Sequence, residues 1–449
     1  MLSLPTRVSL LLLLGGIGCV DDPSLDEAPE YEEPSDGKGD IYGVDSRREV
    51  FDANVSAAHR QAARATAVAI DPSSILDISS VGVTVTNVTH EQRMRTTLGG
   101  PLCASERFRT QPAPGYCSAF LIAPDLLATA GHCVNRDVPW FRARFLFGFT
   151  YDSGTDTTVR SVPRADVYEA RAVIGHRFNF GEGTATGLNT EMWEDWAIVQ
   201  LDRPVTGRTP LVLRSAPVTR GEGVAAIGHP SGIPTKVTRG AVVDATKASW
   251  VNTDIDVYKG NSGSAVVDAA GAAVGIAIRG SGGDSYRKTA EGCYVSRHCD
   301  AVAGSTCIGN HVLRNQFLRP FLDPAVRRVI AEGAITGTPG IPDGNLAGIT
   351  ATRTVTTTGA VAHLTLNVNL NHPRPTDLEL YLEHDGKVVA VSKRPQVWAG
   401  GRVNFSRTTE GFNGLTAGGE WRLRVVDVVA NTGAAQNVEW WQLVIGVRG

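Results

Sequence analysis

From Ile41 to about Asp323 short apolar stretches recur between clusters of Gly, Pro, Asp and Asn, as in Phe120–Ile122, Trp196–Leu201, Val224–Ile227 and Ala273–Ile278. Runs this short, bounded by turn-forming residues, read as β-strands, and their density predicts an all-β domain. Between Val312 and Ala331 the residues Phe317, Phe321, Val326, Val329 and Ile330 fall at mixed three- and four-residue spacing. That spacing predicts one or two helices closing the domain, despite Pro320 and Pro324. The stretch from Glu332 to Asn345 is rich in Gly and Pro without periodicity and marks a linker. Beyond it apolar and polar residues alternate: Leu364, Leu366, Val368 and Leu370, then Leu378, Leu380 and Leu382, then Trp421, Leu423 and Val425. Alternation with a period of two predicts strands with one inward face, packed as a β-sandwich. At 449 residues the chain can bury two or three cores. The pattern divides it into a domain over 41–335, a linker over 336–345 and a second domain over 346–449.

The N-terminus adds a different signal. Arg7, the apolar stretch Val8 to Leu14 and the small residues before Cys19 read as an export signal over residues 1–19. Those small residues resemble a bacterial lipoprotein cleavage box in which Cys19 would be acylated, although Gly16 stands where such boxes usually carry a leucine. The protein is therefore expected to be secreted, or held in a bacterial cell envelope through a lipid on Cys19. Residues 20–40 are dense in Asp, Glu, Pro and Gly and predict a disordered acidic linker. No later run of about 18 apolar residues could span a bilayer. A net charge of -3 excludes a global basic field for nucleic acid, and a monomer is expected. Of seven cysteines, Cys103, Cys117, Cys133, Cys293, Cys299 and Cys307 remain once Cys19 is set aside. An even set in an exported chain, without a CxxC pair, points to disulfides rather than zinc.

Three segments carry chemistry. The first ends Thr129-Ala130-Gly131-His132-Cys133, the second runs Asp195-Trp196-Ala197-Ile198-Val199-Gln200-Leu201, and the third is Gly260-Asn261-Ser262-Gly263-Ser264. In this form and order they resemble the trypsin-like serine peptidases of bacteria, the branch that includes glutamyl endopeptidases. Ile41–Arg47, Leu102–Phe108 and Gly228–Gly232 are similar to other segments of that branch. The order His, Asp, Ser also differs from the Ser, Asp, His order of α/β-hydrolases. The resemblance implies a chymotrypsin-like double β-barrel and a serine endopeptidase acting on proteins or peptides. His132 would be the general base, Asp195 its orienting carboxylate and Ser262 the nucleophile. The amides of Gly260 and Ser262 would form an oxyanion hole. It also implies a disulfide between Cys117 and Cys133 bracing the histidine. Cys103 would pair within the set Cys293, Cys299 and Cys307, the other two with each other. Asp256, six residues before Ser262, and Arg279 would line the substrate pocket. The preferred residue stays open, because Ala277 stands where glutamyl enzymes carry a histidine. Asn261 replaces the aspartate with which animal trypsins capture a new N-terminus.

Residues 341–349, His372–Leu382 and Gly419–Val428 resemble the P/Homo B domain that follows the catalytic domain in proprotein convertases and many bacterial exoproteases. The resemblance implies a jelly-roll sandwich with no catalytic group. No cofactor is required; a structural calcium would draw on Asp377, Asp385 and Asp427. The competing reading is an inactive protease fold serving as a surface binding or scaffold protein. Inactive relatives usually lose a triad member, and here all three stand in motif.

Overall fold

The computed structural model describes residues 41–135, 138–179, 194–280, 285–299, 309–332, 340–393, 402–430 and 437–449. The export signal, Cys19, the acidic segment, Cys307 and the first part of the linker, to residue 339, lie outside the described residues.

Six strands close a first barrel: β1 (Thr66–Ile70), β2 (Gly115–Ala123), β3 (Leu126–Thr129), β4 (Arg144–Phe147), β5 (Val167–Asn179) and β6 (Glu194–Leu201). They are hydrogen-bonded in the order β5-β6-β3-β2-β1-β4, and β4 returns to β5. Six more close a second: β7 (Gly223–Gly228), β8 (Lys236–Asp244), β9 (Trp250–Thr253), β10 (Ala265–Val267), β11 (Ala273–Arg279) and β12 (Asn310–Arg314). Their order is β7-β10-β11-β12-β9-β8, with β8 pairing back to β7. Closure removes the exposed edges that open sheets must protect. Ala197, Ile198 and Val199 of β6 are fully buried in succession, so both faces of this strand are covered. One apolar cluster runs from Phe120, Leu127 and Ile198 of the first barrel into Ile227, Ile276 and Leu313 of the second.

Eight further strands toward the C-terminus form two four-stranded sheets around a separate core. They are β13 (Val326–Ala331), β14 (Ile349–Val355), β15 (Ala360–Asn371), β16 (Leu378–His384), β17 (Lys387–Lys393), β18 (Arg402–Thr409), β19 (Gly419–Asp427) and β20 (Val438–Arg448). One sheet runs β13-β20-β15-β18, the other β14-β19-β16-β17. Leu364, Leu366, Val368 and Leu370 of β15 face Leu380, Trp421 and Leu423 inside the sandwich.

The closing helix expected over 312–331 is absent. Val312 and Leu313 lie in β12, only Asn315–Phe317 and Arg319–Leu322 form 3₁₀ turns, and Val326–Ala331 is an edge strand paired with β20. Pro324 disfavours the helical region at the residue before it, which stops any extension of the second turn. The mixed apolar spacing arises because the segment serves two cores. Phe317 and Phe321 pack on Trp196 at 6.3 and 5.5 Å between ring centres. In β13, Val329 and Ala331 turn to the sandwich core while Ile330 joins the barrel cluster, as alternation along a strand requires.

The sheet containing β15 and β18 docks on the first barrel along β5. Beyond Glu169 that strand has left β4, and its register against β6 shifts between Val173 and Gly175. Backbone groups freed there need other partners. Asn367 Nδ2 donates to Val173 O (3.0 Å), Thr365 Oγ1 donates to Ile174 O (2.8 Å), and His176 N donates to Thr408 Oγ1 (2.8 Å).

Candidate active site

The short helix His132–Asn135 follows β3, and Asp195 is the second residue of β6 beside it. Asp195 is fully buried, with one oxygen accepting the His132 backbone N–H (2.9 Å) and the other lying 2.7 Å from His132 Nδ1. A carboxylate at Nδ1 places the ring proton there and leaves Nε2 as the basic nitrogen. The Cys117–Cys133 disulfide ties this turn to β2, with 6.1 Å between the Cα atoms. The His132 nitrogen and both sulfurs lie within 4.8 Å of one another, a spacing a metal could accept. Both sulfurs are spent in the disulfide. A second histidine supports the loop: buried His176 has its pKa pushed down to about 4 by desolvation, and its Nε2 donates to Gly131 O (3.1 Å).

Ser262 stands on the turn before β10, and its carbonyl accepts from Ser118 N at 2.8 Å. That carbonyl lies 3.7 Å from Cys133 Sγ, so the nucleophile turn and the histidine turn are neighbours. Among the described residues no hydrogen bond joins Ser262 Oγ to His132 Nε2. Contacts of this kind commonly tighten only when substrate is bound. Every other amide from Gly260 to Ser264 is committed: Asn261 N to Tyr258 O, Gly263 N to Ala277 O and Ser264 N to Asn261 O. The N–H groups of Gly260 and Ser262 make no hydrogen bond to the described residues. Gly260 sits at φ 103°, a conformation open to glycine. Gly263, at φ 87°, has no room for a Cβ, which would meet Ser118 O at 1.9 Å.

The two residues expected to line the pocket are placed differently. Asp256 is 1% exposed, and its carboxylate accepts Tyr42 N (2.8 Å), Ser46 N (2.6 Å) and Ser46 Oγ (2.6 Å). Burial raises its pKa against these bonds. Its charge therefore anchors the Tyr42–Ser46 segment and is not presented to a substrate side chain. Arg279 ends β11 opposite His311, whose pKa falls to about 4 through burial and, secondarily, the Arg279 charge. Of the other acidic residues beside Asp195 along this stretch, Glu194 lies 3.7 Å from Arg177 and Asp202 is exposed, accepting Glu169 N.

Three separated segments meet beneath the nucleophile turn. Arg47 is fully buried, pairs with Asp45 (2.9 Å) and Glu106 (3.2 Å), and lies 4.4 Å from the Tyr258 ring centre. Cys103 bonds Cys293, and Cys299 is also disulfide-bonded. The acids named for calcium do not converge. Asp427 accepts from His372 Nε2 (3.1 Å) and Val429 N (3.0 Å), and Asp377 pairs with Arg374 (3.2 Å). Asp385 lies past the other end of β16, about 25 Å away at the rise of a strand. The three do not fit one calcium site.

Residues 117–276 match the trypsin-like peptidase domain family, and residues 361–445 match the proprotein convertase P-domain family. The chain thus combines a trypsin-like peptidase domain on two closed six-stranded barrels with a P-domain β-sandwich. A protease domain of this kind implies protein or peptide substrates. The chain is similar to a solved Glu endopeptidase, at 15% identity and TM-score 0.34 over 62% of this chain and 97% of the other. It is similar to Rv3671c of M. tuberculosis at 13% identity and TM-score 0.33, over 63% of this chain and 95% of the other. A serine protease of Aeromonas sobria, solved with the chaperone ORF2, matches at 18% identity and TM-score 0.26 over 36% of this chain. The match spans 33% of that protease's chain. No curated protein sequence matches. Among the described residues no helix is long and apolar enough to cross a membrane.

Ser118, His176 and the Thr365, Asn367, Thr408 row were not singled out from sequence. Ser118 stood in view beside Cys117, but a small polar residue in an apolar strand carries no distinctive signal.

Proposed function

We propose that this protein is an exported serine endopeptidase that cleaves proteins or peptides through an acyl-enzyme on Ser262. The observation that carries the reading is the buried Asp195–His132 pair, set beside a turn in which the amides of Gly260 and Ser262 have no hydrogen-bond partner among the described residues. Ser262 Oγ attacks the scissile carbonyl while His132 Nε2 takes its proton, and Asp195 stabilises the imidazolium. The developing oxyanion accepts from Gly260 N–H and Ser262 N–H. His132 returns the proton to the leaving amine, and water then hydrolyses the acyl-enzyme by the same base. Export is supported by the N-terminal signal pattern and by disulfides, which persist in oxidising compartments. Whether release is free or through a lipid on Cys19 is read from the mass of the mature N-terminus.

The test is covalent labelling with a fluorophosphonate together with digestion of a peptide library. Wild-type protein should be labelled at Ser262 and should cleave the library. Ser262→Ala should lose the label and roughly 10⁶-fold in turnover. Full activity in Ser262→Ala, or an unlabelled and inert wild type, would overturn the reading.

A further inference from the structure

The nucleophile turn is held from outside by a side chain that belongs to none of the three motifs. Ser118, in β2, is fully buried. Its hydroxyl donates to Gly260 O (2.8 Å) and accepts from His229 N (2.9 Å), so its one proton is committed to the turn. Its backbone N–H donates to Ser262 O (2.8 Å). One residue therefore grips the turn on both sides of Asn261.

The preceding peptide is gripped as well. Ser231 N donates to Lys259 O at 2.7 Å. In a trans peptide the C=O and N–H point in opposite directions. Pinning Lys259 O on Ser231 thus aims Gly260 N–H away from the 229–232 loop. Ser231 reaches this position at φ 53°, a conformation costly for a residue with a side chain. Its hydroxyl lies 3.1 Å from Tyr286 Oη, which in turn lies 2.7 Å from His90 Nε2. Glycine at 260 leaves both adjoining peptides free to rotate unless something outside restrains them.

We propose that Ser118 is a positioning residue of the oxyanion hole: its hydroxyl fixes the Gly260 carbonyl so that Gly260 N–H and Ser262 N–H stay aimed at one point. This rests on the serine peptidase reading above. The hydroxyl touches no substrate and acts only through the orientation of the turn.

Saturable fluorophosphonate labelling of the full chain separates kinact from KI and tests the idea. In Ser118→Ala, kinact should fall about tenfold to a hundredfold, short of the loss of an oxyanion donor outright, with KI unchanged within about twofold. Ser118→Thr, which keeps the hydroxyl, should recover kinact. A Ser118→Ala protein labelled as fast as wild type, or a loss that Thr does not restore, overturns the proposal while leaving the peptidase reading standing. An unlabelled wild type overturns both. Should Ser118→Ala lose its near-UV circular dichroism, Ser118→Cys, close in size but a weaker donor, is held to the same outcomes.

Discussion

Against the second barrel the first presents apolar side chains, in one cluster that joins Phe120, Leu127 and Ile198 to Ile227, Ile276 and Leu313. Against the sandwich it presents the bare edge of β5, met by the side chains of Thr365, Asn367 and Thr408, beside an apolar flank in which Trp440 packs on Trp140 and Phe141 at 5.7 and 5.3 Å and Val444 and Ile330 join the barrel cluster. The two junctions differ in what they specify. Burial of apolar surface is non-directional and tolerates small displacements. Hydrogen bonds to chosen backbone atoms fix register, since a donor left unpaired in the interior costs about 1–3 kcal/mol. The polar junction also reaches toward the chemistry. Thr408 holds His176 N, and the His176 ring holds Gly131 O, one residue before His132.

The largest test falls between the junctions, on β6. Asp195→Asn should leave the fold intact yet lower turnover about 10⁴-fold, by stabilising the wrong histidine tautomer. A loss below tenfold in peptide cleavage would show that Asp195 does not orient His132. At the apolar junction, Leu313→Ala should cost about 2–5 kcal/mol of stability, read by thermal or denaturant unfolding. Its effect on the labelling rate of the folded fraction should be slight. At the polar junction, Thr408→Val should cost about 1–3 kcal/mol by stranding His176 N, and should also slow labelling of Ser262. Equal labelling rates in the two variants would break the contrast.

Acid should weaken both junctions. Desolvation lowers the pKa of His176 and His363 at the sandwich, and of His311 in the second barrel, from 6.5 to about 4. It lowers those of His90 and His229 to about 3. A folded pKa below the unfolded one contributes stability that is complete above about pH 6.5 and lost as pH falls toward 4 and then 3. Each histidine should cost about 1.4 kcal/mol per pH unit inside its window. Unfolding free energies measured from pH 7 to 4 should therefore decline, and a flat profile would contradict the buried, neutral state of these rings. The smallest effect is at the rim. Arg328→Ala removes a 3.3 Å ion pair with Asp125 across the sandwich junction, and should cost about 0.2–1 kcal/mol, less in high salt.

Much of the candidate site was legible because its signals are local. His132, Asp195 and Ser262 each stand in a short stretch whose residue types suit one chemical role, and the strands carrying them show as apolar runs between turn residues. The chemistry of a side chain and the period of a strand are properties of neighbouring residues, so the chain order alone determined the short apolar strands of the barrels, the alternating strands of the sandwich and the three motifs. Partner choice across the fold is a different matter. The alternation in β15 marks Thr365 and Asn367 as the polar face, which reads as solvent-facing; the docking of β5 made it a buried interface. Asp256 looked like a pocket acid until the Tyr42–Ser46 amides took up its oxygens. Val326–Ala331 kept a spacing compatible with a helix, and only the presence of two cores on its two sides made it a strand. The pairing of Cys103 with Cys293, 190 residues apart, and the grip of Ser118 on Gly260, 142 residues apart, belong to the same class. Each depends on which distant backbone group arrives at hydrogen-bonding or bonding distance, and that was decided by the tertiary structure alone.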